Sequence, residues 1–322
     1  MNAVTIGSLL AGVALLAGLA LNYLFVPKRA SPSLNTSVKQ GMLKIGGHAR
    51  PYLAVIPHDL PPNAPLLLVF HGSMQTGPGI RLASGYAFDQ LAVQHGFIVV
   101  YPDAYKGAWN DCRTAAQFPS QREKIDDVGL VQALIAHFEA SHQIDRSRVY
   151  AAGYSNGGQM VFRLAAEAAG EFAGLAAIAA TQPTDDNTSC AAPSQPIPML
   201  LIGGTRDPIV PYGGGMISLF GLQPRGTARS FVDTARYYAQ LNGQTEPPLD
   251  SGQPPVGVLR FAQKDRRPVV AYTIQGGGHV VPGPASAFPG LMGRIERSLD
   301  APAVIWTFFS GLQTTSVSRS EK

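Results

Sequence analysis

The fold of this chain follows from one ten-residue stretch, Val149-Tyr150-Ala151-Ala152-Gly153-Tyr154-Ser155-Asn156-Gly157-Gly158. Its first residues are apolar and predict a buried strand, and the pattern after it predicts a helix. Ser155 lies between the two, with a glycine two residues before it and another two residues after it. Glycines there permit a turn too tight for side chains, and such a turn projects the serine hydroxyl away from the backbone. The stretch therefore predicts a strand, a turn that exposes a nucleophile, and a helix.

Short apolar runs alternate with helical patterns on both sides of this stretch. Strands are predicted at residues 42–45, 52–56, 66–70, 97–101, 148–152, 172–180, 199–203 and 269–274. Helices are predicted at residues 88–95, from Asp126 to 138, and at 157–169, 227–241 and 303–309. This alternation indicates an α/β protein with a mostly parallel central sheet and helices on both faces. Residues 181–198 separate two successive strands, and this connection is too short to hold a large cap domain.

Composition excludes some functions. The 322 residues carry a formal charge of only +4 and no run of five Lys or Arg, which argues against nucleic-acid binding. The two cysteines, Cys112 and Cys190, form no CxxC pair and no cluster with histidine, so we expect no metal site. They are either two isolated thiols or a disulfide, and a disulfide requires an oxidising compartment.

The N-terminal region is apolar and carries no charge between Val4 and Val26. It is long enough to span a hydrocarbon core of about 30 Å, and two interpretations of residues 1–26 stay open: a cleaved signal peptide and an uncleaved membrane anchor. We predict a linker at 27–40, a catalytic domain at 41–312 and a polar tail at 313–322. We expect the domain to be exported, either secreted or periplasmic, or anchored facing outward. Contact with a membrane would then come only from the N-terminal segment.

A serine hydroxyl needs a neighbouring base and an acid that orients this base. Asp207 follows the predicted strand 199–203, and His279 follows the predicted strand 269–274. No other histidine lies C-terminal to Ser155, so the order serine, acid, histidine leaves only His279 as the base. Asp185 and Asp186 are the alternative acids.

The negative charge that develops in acyl transfer requires two backbone N–H donors. We predict that Asn156, next to the nucleophile, and Ser73, after the strand at 66–70, provide them. His71 precedes Ser73, and we interpret it as a residue that shapes this loop rather than as a catalyst. This chemistry requires no metal or organic cofactor.

With these residues the chain resembles the α/β-hydrolase superfamily over most of residues 41–312. Within it, the chain is similar to the polyhydroxybutyrate depolymerase/feruloyl esterase-like family of secreted esterases. The similar segments are Leu68-Val69-Phe70-His71-Gly72, Trp109-Asn110, Asp126-Asp127-Val128-Gly129, the stretch around Ser155, Gly204-Thr205-Arg206-Asp207-Pro208-Ile209-Val210-Pro211-Tyr212 and Gly277-Gly278-His279. The resemblance implies an α/β-hydrolase fold and a serine carboxylic ester hydrolase.

The resemblance also implies a disulfide between Cys112 and Cys190, because the family has a cysteine just before the acid-bearing strand. The chain departs from the family at Val280, where an aromatic residue is usual, and it lacks the cysteine-containing loop of polymer depolymerases after His71-Gly72. Both departures concern acyl specificity, so the resemblance does not define the substrate.

Without a cap, the cleft is expected to be open and to accept soluble or oligomeric esters, such as hydroxyalkanoate or feruloyl-type esters. Trp109 and Tyr212 are candidate residues of its lining, together with Met216 and Phe220. Two alternatives remain at this stage: a serine peptidase of the prolyl-peptidase-like type, and a catalytically inactive binding protein tethered to a membrane.

Overall fold

The computed structural model describes Leu24, Val26 and residues 29–312. The predicted signal or anchor segment lies, except for those two residues, outside the described residues, and so does the predicted tail at 313–322. Within the described ranges, no helix is long and apolar enough to cross a membrane.

Twelve strands are found among the described residues. In chain order they are β1 (Thr36–Ile45), β2 (His48–Pro57), β3 (Leu66–Phe70), β4 (Ile98–Pro102), β5 (Val149–Tyr154), β6 (Gly174–Ile178), β7 (Met199–Gly204), β8 (Gly215–Leu219), β9 (Leu222–Ala228), β10 (Leu249–Gln253), β11 (Val256–Phe261) and β12 (Val269–Ile274). Ten of them form one sheet in the order β1-β2-β4-β3-β5-β6-β7-β12-β11-β10, and β8 pairs only with β9. The six strands from β4 to β12 in this order pair in parallel, and antiparallel strands extend both edges.

Helices cover both faces of the sheet. They are α1 (Gly77–Ala83), α2 (Ala87–His95), α3 (Pro119–Arg122), α4 (Asp127–His142), α5 (Asn156–Glu167), α6 (Phe231–Leu241) and α7 (Ala301–Gly311). Apolar residues of α4, α5 and α6 form a core with one face, and those of α1, α2 and α7 form a second core with the other face. The predicted α/β architecture, mostly parallel with helices on both faces, is confirmed, and no large cap domain is evident within residues 29–312.

The central strands are apolar at every position because both of their faces are covered. In β3, Leu66, Leu68 and Phe70 belong to one core, and Leu67 and Val69 belong to the other. All five are buried. A parallel strand covered on both faces has no polar side to alternate with, and this explains the continuous apolar runs in the sequence.

Several regions differ from the prediction. β1 begins at Thr36, inside the segment predicted as a linker. All of its residues are exposed or half-buried, so no buried apolar run marks it as a strand. The helix predicted at 227–241 begins only at Phe231, because Ser230 caps it by accepting a hydrogen bond from the Asp233 N–H. No strand was predicted in the segments 208–226 and 249–261, but both contain strands. β10 is exposed at every position, so no burial pattern marks it.

The adjacent carboxylates of Asp126 and Asp127 at the start of α4 have different roles. The Asp126 carboxylate accepts the Gly129 N–H at 2.7 Å and caps α4. The buried Asp127 carboxylate instead pairs with Arg50 of β2 at 2.5 Å and accepts the Asn110 N–H at 2.7 Å. This pair connects β2 to α4, and losing either partner would leave a buried unpaired charge.

A disulfide joins Cys112, between β4 and α4, to Cys190, between β6 and β7. This is the pairing that the resemblance implied. The Glu167 carboxylate lies near both sulfurs, but this trio is not a metal-ligand set because the sulfurs are bonded to each other.

Candidate active site

Ser155 lies on the tight turn between β5 and α5. Its backbone has φ 55° and ψ −117°, a conformation that is costly for any residue with a side chain, by about 1–3 kcal/mol. A Cβ on Gly153 would lie 2.0 Å from the Gly157 carbonyl oxygen, and a Cβ on Gly157 would lie 2.3 Å from the Phe70 carbonyl oxygen. The flanking glycines are therefore required, since the turn presses the start of α5 against β5 and β3.

The structure brings Ser155, His279 and Asp207 together. His279 Nε2 lies 2.8 Å from Ser155 Oγ, and His279 Nδ1 lies 2.7 Å from Asp207 Oδ2. Asp207 Oδ1 accepts the backbone N–H groups of Ile209 and Val210, both at 2.8 Å. With its two oxygens engaged, Asp207 is held as a carboxylate that receives the Nδ1–H of the histidine. His279 Nε2 is then the acceptor for the serine hydroxyl.

His279 is held by its backbone as well as by its ring. Its N–H donates to the Met292 carbonyl at 2.7 Å, and its carbonyl accepts the Tyr154 hydroxyl at 2.7 Å. His279 is buried, with 2% of its surface exposed, so nearly all of it faces protein. Tyr154 comes directly before the serine. The tight turn at Ser155, which we call the elbow, therefore also positions the loop that carries His279.

Asn156 is the first residue of α5, so its N–H has no partner inside the helix. Its side chain accepts the Trp109 N–H at 2.7 Å and donates to Asp111 Oδ2 at 2.6 Å. These contacts fix the Asn156 side chain and do not use its backbone N–H. The N–H is thereby available for a developing negative charge beside Ser155.

Ser73 lies in the loop after β3, and its neighbours are fully engaged. The Gly72 N–H donates to the Gln75 side chain at 3.0 Å, and the Met74 N–H donates to the Gly107 carbonyl at 2.8 Å. None of the hydrogen bonds found among the described residues uses the Ser73 N–H. This N–H is thus a second available donor.

His71 supports this loop from the interior. It is fully buried, its Nδ1–H donates to the Gly72 carbonyl at 2.7 Å, and its Nε2 accepts the Ala104 N–H at 2.9 Å. Burial lowers the pKa of His71 from 6.5 to about 4, against the opposing effects of the Gly72 hydrogen bond and the charge of Asp103. The neutral ring connects the loops after β3 and β4, in agreement with its interpretation as a loop-shaping residue.

We expect His71 to make stability depend on pH. Between about pH 6.5 and pH 4 the unfolded chain takes up a proton that the folded ring refuses, so the free energy of unfolding falls by about 3 kcal/mol as pH falls through this window. Urea unfolding near pH 7 and near pH 4.5 measures this. His71→Gln should be less stable than the wild type near pH 7 but lose less stability on acidification. Parallel losses in both proteins would contradict the assignment, because all other groups are shared.

Two of the four candidate cleft residues, Trp109 and Tyr212, have other partners within the fold. Trp109 is 0% exposed, its ring packs edge-on against Phe70, and its indole N–H donates to the His71 carbonyl at 2.9 Å. The prediction that Trp109 lines the cleft is wrong, because the ring is part of the core under the loop. Tyr212 is half-buried, with its hydroxyl 2.8 Å from Thr273 Oγ1 and its ring stacked on Phe231. Its hydroxyl is therefore already bonded within the fold.

The alternative acids do not reach the histidine. Asp185 pairs with Arg229 at 2.7 Å and is largely exposed, and Asp186 is exposed beside Thr227. Both lie in the short 3-10 helix at Asp185–Asn187, whereas the carboxylate at His279 comes from the loop after β7.

Sequence reasoning missed a charged cluster beside the elbow. Asp111 binds the Asn156 side chain and pairs with Arg113 at 2.5 Å, and both members of this pair are buried. Arg225 of β9 is also buried and lies 3.3 Å from Ser73 Oγ. The Asp111-Cys112-Arg113 segment directly follows Trp109-Asn110, which resembles the esterase family, so its position in the sequence could have indicated a role at the site. No local sequence pattern indicates a role for Arg225.

Comparisons with known proteins point to esterases. The model of the Dienelactone hydrolase family matches residues 60–215. The chain is 27% identical over 304 residues to NocK of Nocardia uniformis subsp. tsuyamanensis, named as a candidate esterase, and the match covers 89% of this chain and 87% of that protein. It is 30% identical over 227 residues to Feruloyl esterase B of Piromyces equi, covering 67% of this chain but only 39% of that protein. Among solved structures, the acetyl xylan esterase from Aspergillus awamori superposes with a TM-score of 0.55 at 16% identity, over 76% of this chain and 95% of that chain, and this likeness concerns the fold.

Proposed function

Because this chain is a carboxylic ester hydrolase of the α/β-hydrolase superfamily, we propose that Ser155 is its nucleophile, His279 its general base and acid, and Asp207 the carboxylate that orients the histidine. The observation that carries this proposal is the continuous hydrogen-bonded path from Ser155 Oγ through His279 to Asp207, at 2.8 and 2.7 Å.

In the acylation step, Ser155 Oγ attacks the ester carbonyl carbon while its proton moves to His279 Nε2. The tetrahedral intermediate carries its negative charge on the former carbonyl oxygen. When the carbonyl re-forms, the bond to the alcohol oxygen breaks, and His279 returns the proton to this oxygen. The products of this step are the free alcohol and the acyl-enzyme.

In the deacylation step, His279 Nε2 takes a proton from water, and the hydroxide oxygen attacks the acyl carbon. Collapse of the second intermediate breaks the bond to Ser155 Oγ, which recovers the proton from His279. The carboxylic acid leaves and the free enzyme is restored. Asp207 keeps the Nδ1–H of the histidine in place and stabilises the imidazolium in both steps.

We assign the oxyanion donors to the N–H groups of Asn156 and Ser73. Asn156 N–H adds the positive end of the α5 dipole, and the Ser73 loop is held by His71 and Gln75. Fixed donors cost no reorganisation when charge develops.

The substrate class that we propose is soluble or oligomeric esters, such as hydroxyalkanoate or feruloyl-type esters. Its support is the name of Feruloyl esterase B and the absence of a large cap among the described residues. We also propose export, because the Cys112–Cys190 disulfide is typical of oxidising compartments and the segment at 1–26 is apolar.

Two measurements test the function together. A fluorophosphonate probe should label the wild-type protein at Ser155, located by peptide mass spectrometry, and Ser155→Ala should stay unlabelled. Hydrolysis of 4-nitrophenyl butyrate and of the matched 4-nitroanilide then separates an esterase from a peptidase, since an esterase should hydrolyse the ester and leave the anilide uncleaved, whereas a serine peptidase cleaves both. A folded wild-type protein without labelling would remove the enzyme proposal, and ready turnover of the anilide would remove the esterase proposal.

A further inference from the structure

Arg225 carries a buried positive charge without a carboxylate partner. The residue is 6% exposed, and within the described part of the chain no acidic oxygen lies within ion-pair distance of its guanidinium. Taking a charge out of water is costly unless an opposite charge compensates it. Burial and the neighbouring charge of Arg113 lower the pKa of Arg225 below its ordinary value. A guanidinium in such surroundings is expected to have a purpose other than stability.

The nearest acidic group is already engaged. Both oxygens of Asp111 accept hydrogen bonds from Arg113, at 3.0 and 2.5 Å, and one of them also accepts the Asn156 side chain. The guanidinium carbons of Arg113 and Arg225 lie 5.8 and 4.8 Å from the centre of the Phe118 ring. The cluster thus holds two guanidinium groups but one carboxylate, which among the described residues pairs with Arg113 alone, and it has one positive charge in excess.

This excess charge borders the place where the ester binds. Arg225 Nη1 lies 3.3 Å from Ser73 Oγ, and Ser73 is one of the two proposed oxyanion donors. In the same cluster, Asp111 Oδ2 accepts a hydrogen bond from the side-chain amide of Asn156, the other proposed donor residue. Because the cluster contacts both residues that carry the proposed oxyanion donors, we expect its charge to lie near a substrate bound at Ser155.

The backbone that carries Arg225 is fixed. The Asn187 amide donates to the carbonyls of Arg225 at 3.1 Å and Thr227 at 3.0 Å. Gly226 between them has φ +80° and lies against this amide, where an added Cβ would be 2.2 Å away. Asn187 also joins the hairpin β8–β9 to the Thr114 loop. A binding group held in this way loses little entropy when a ligand binds.

We propose that Arg225 binds a carboxylate carried by the ester substrate, so that the enzyme prefers acidic esters over neutral ones of the same shape. The guanidinium supplies planar, charge-assisted donors that suit a carboxylate, and the Phe118 ring covers one of its faces. The inference rests on the proposed function of Ser155, and the bonds that form and break in hydrolysis are unchanged. An oligomeric hydroxyalkanoate with a free carboxyl end has this chemistry.

The test uses two matched substrate pairs that differ in charge alone or nearly so. The first pair, the 4-nitrophenyl monoester of adipic acid and 4-nitrophenyl hexanoate, places the carboxylate on the acyl side. The second pair, the dimer of 3-hydroxybutyric acid and its primary carboxamide, places it on the alcohol side. The wild type should show a kcat/KM about 10-fold or more higher for the acidic member of one pair, since hydrogen bonds to charged groups have this strength. The pair that shows the preference identifies the side on which the carboxylate lies.

Arg225→Met should abolish the preference by raising KM for the acidic ester, while the neutral ester keeps kcat/KM within about 3-fold. Arg225→Lys keeps the charge but loses the planar fork, and it should retain part of the preference. Arg229→Met is the matched control, because Arg229 lies just after β9 and already has a partner in Asp185. It should retain the full preference. Circular dichroism confirms that each variant is folded.

A wild type without a preference in either pair overturns the inference, and this result does not depend on any variant folding. An equal loss on acidic and neutral esters in Arg225→Met also overturns it, because Arg225 would then act on the Ser73 loop. Failure of the proposed function looks different: the wild type would not hydrolyse the neutral esters, or Ser155→Ala would still hydrolyse them.

Discussion

Ser155→Ala and Ser155→Gly should each lower kcat/KM for a neutral ester such as 4-nitrophenyl butyrate by on the order of 10⁵-fold. Without the hydroxyl, the Nε2 of His279 has no nucleophile to activate, and only the oxyanion donors still assist attack by water. Steady-state rates at high enzyme concentration, corrected for the uncatalysed rate, measure the loss. A residual rate near that of the wild type in either variant would contradict the assignment of the nucleophile.

The same two variants should differ in stability. Residue 155 has φ 55° and ψ −117°, which glycine adopts with little strain and alanine does not. Both variants lose the hydrogen bond to His279, so their difference isolates the backbone. We expect Ser155→Gly to be more stable than Ser155→Ala by about 1 kcal/mol in urea unfolding. Equal stability would show that the turn does not strain the residue it carries.

Asp207→Asn should lower kcat by about 10⁴-fold with little change in KM. The Asn carbonyl oxygen must stay with the N–H groups of Ile209 and Val210, so the NH₂ group faces His279 Nδ1. The histidine then has to accept at Nδ1 and carry its proton on Nε2, and in this tautomer it cannot take the proton of Ser155.

Single-turnover rates with 4-nitrophenyl butyrate measure this loss directly. Asp185→Asn is the matched control, because Asp185 was the alternative acid and pairs with Arg229 at the surface. It should leave kcat unchanged. A large loss in Asp185→Asn with a small one in Asp207→Asn would exchange the roles of the two residues.

The site residues differ in how far the sequence alone could predict them. Ser155 could be found because the turn requires glycines at 153 and 157, and this requirement is local. His279 followed from chain order, since no other histidine lies C-terminal to Ser155. For the acid, the sequence favoured Asp207 and kept Asp185 and Asp186 as alternatives. Only the geometry distinguishes them, with one carboxylate of the three 2.7 Å from the histidine.

The errors also have physical reasons. Trp109 lies in one of the segments that resemble the esterase family. An aromatic residue in a loop is equally suited to line a cleft or to pack in the core. Whether the Trp109 ring lies in the cleft or in the core is decided by its contacts with Phe70 and His71, at the end of β3. The strands in 208–226 and 249–261 were missed because their pairing, and not a buried face, defines them.

The sequence by itself determined the parallel sheet, the elbow at Ser155 and the single available histidine, because apolar periodicity, glycine at a tight turn and chain order are local properties. Only the tertiary structure decided which carboxylate meets His279 and that Arg225 reaches Ser73. Those contacts join residues 72 and 152 positions apart, and their distances depend on how the hairpin and the loops pack, which no local pattern records.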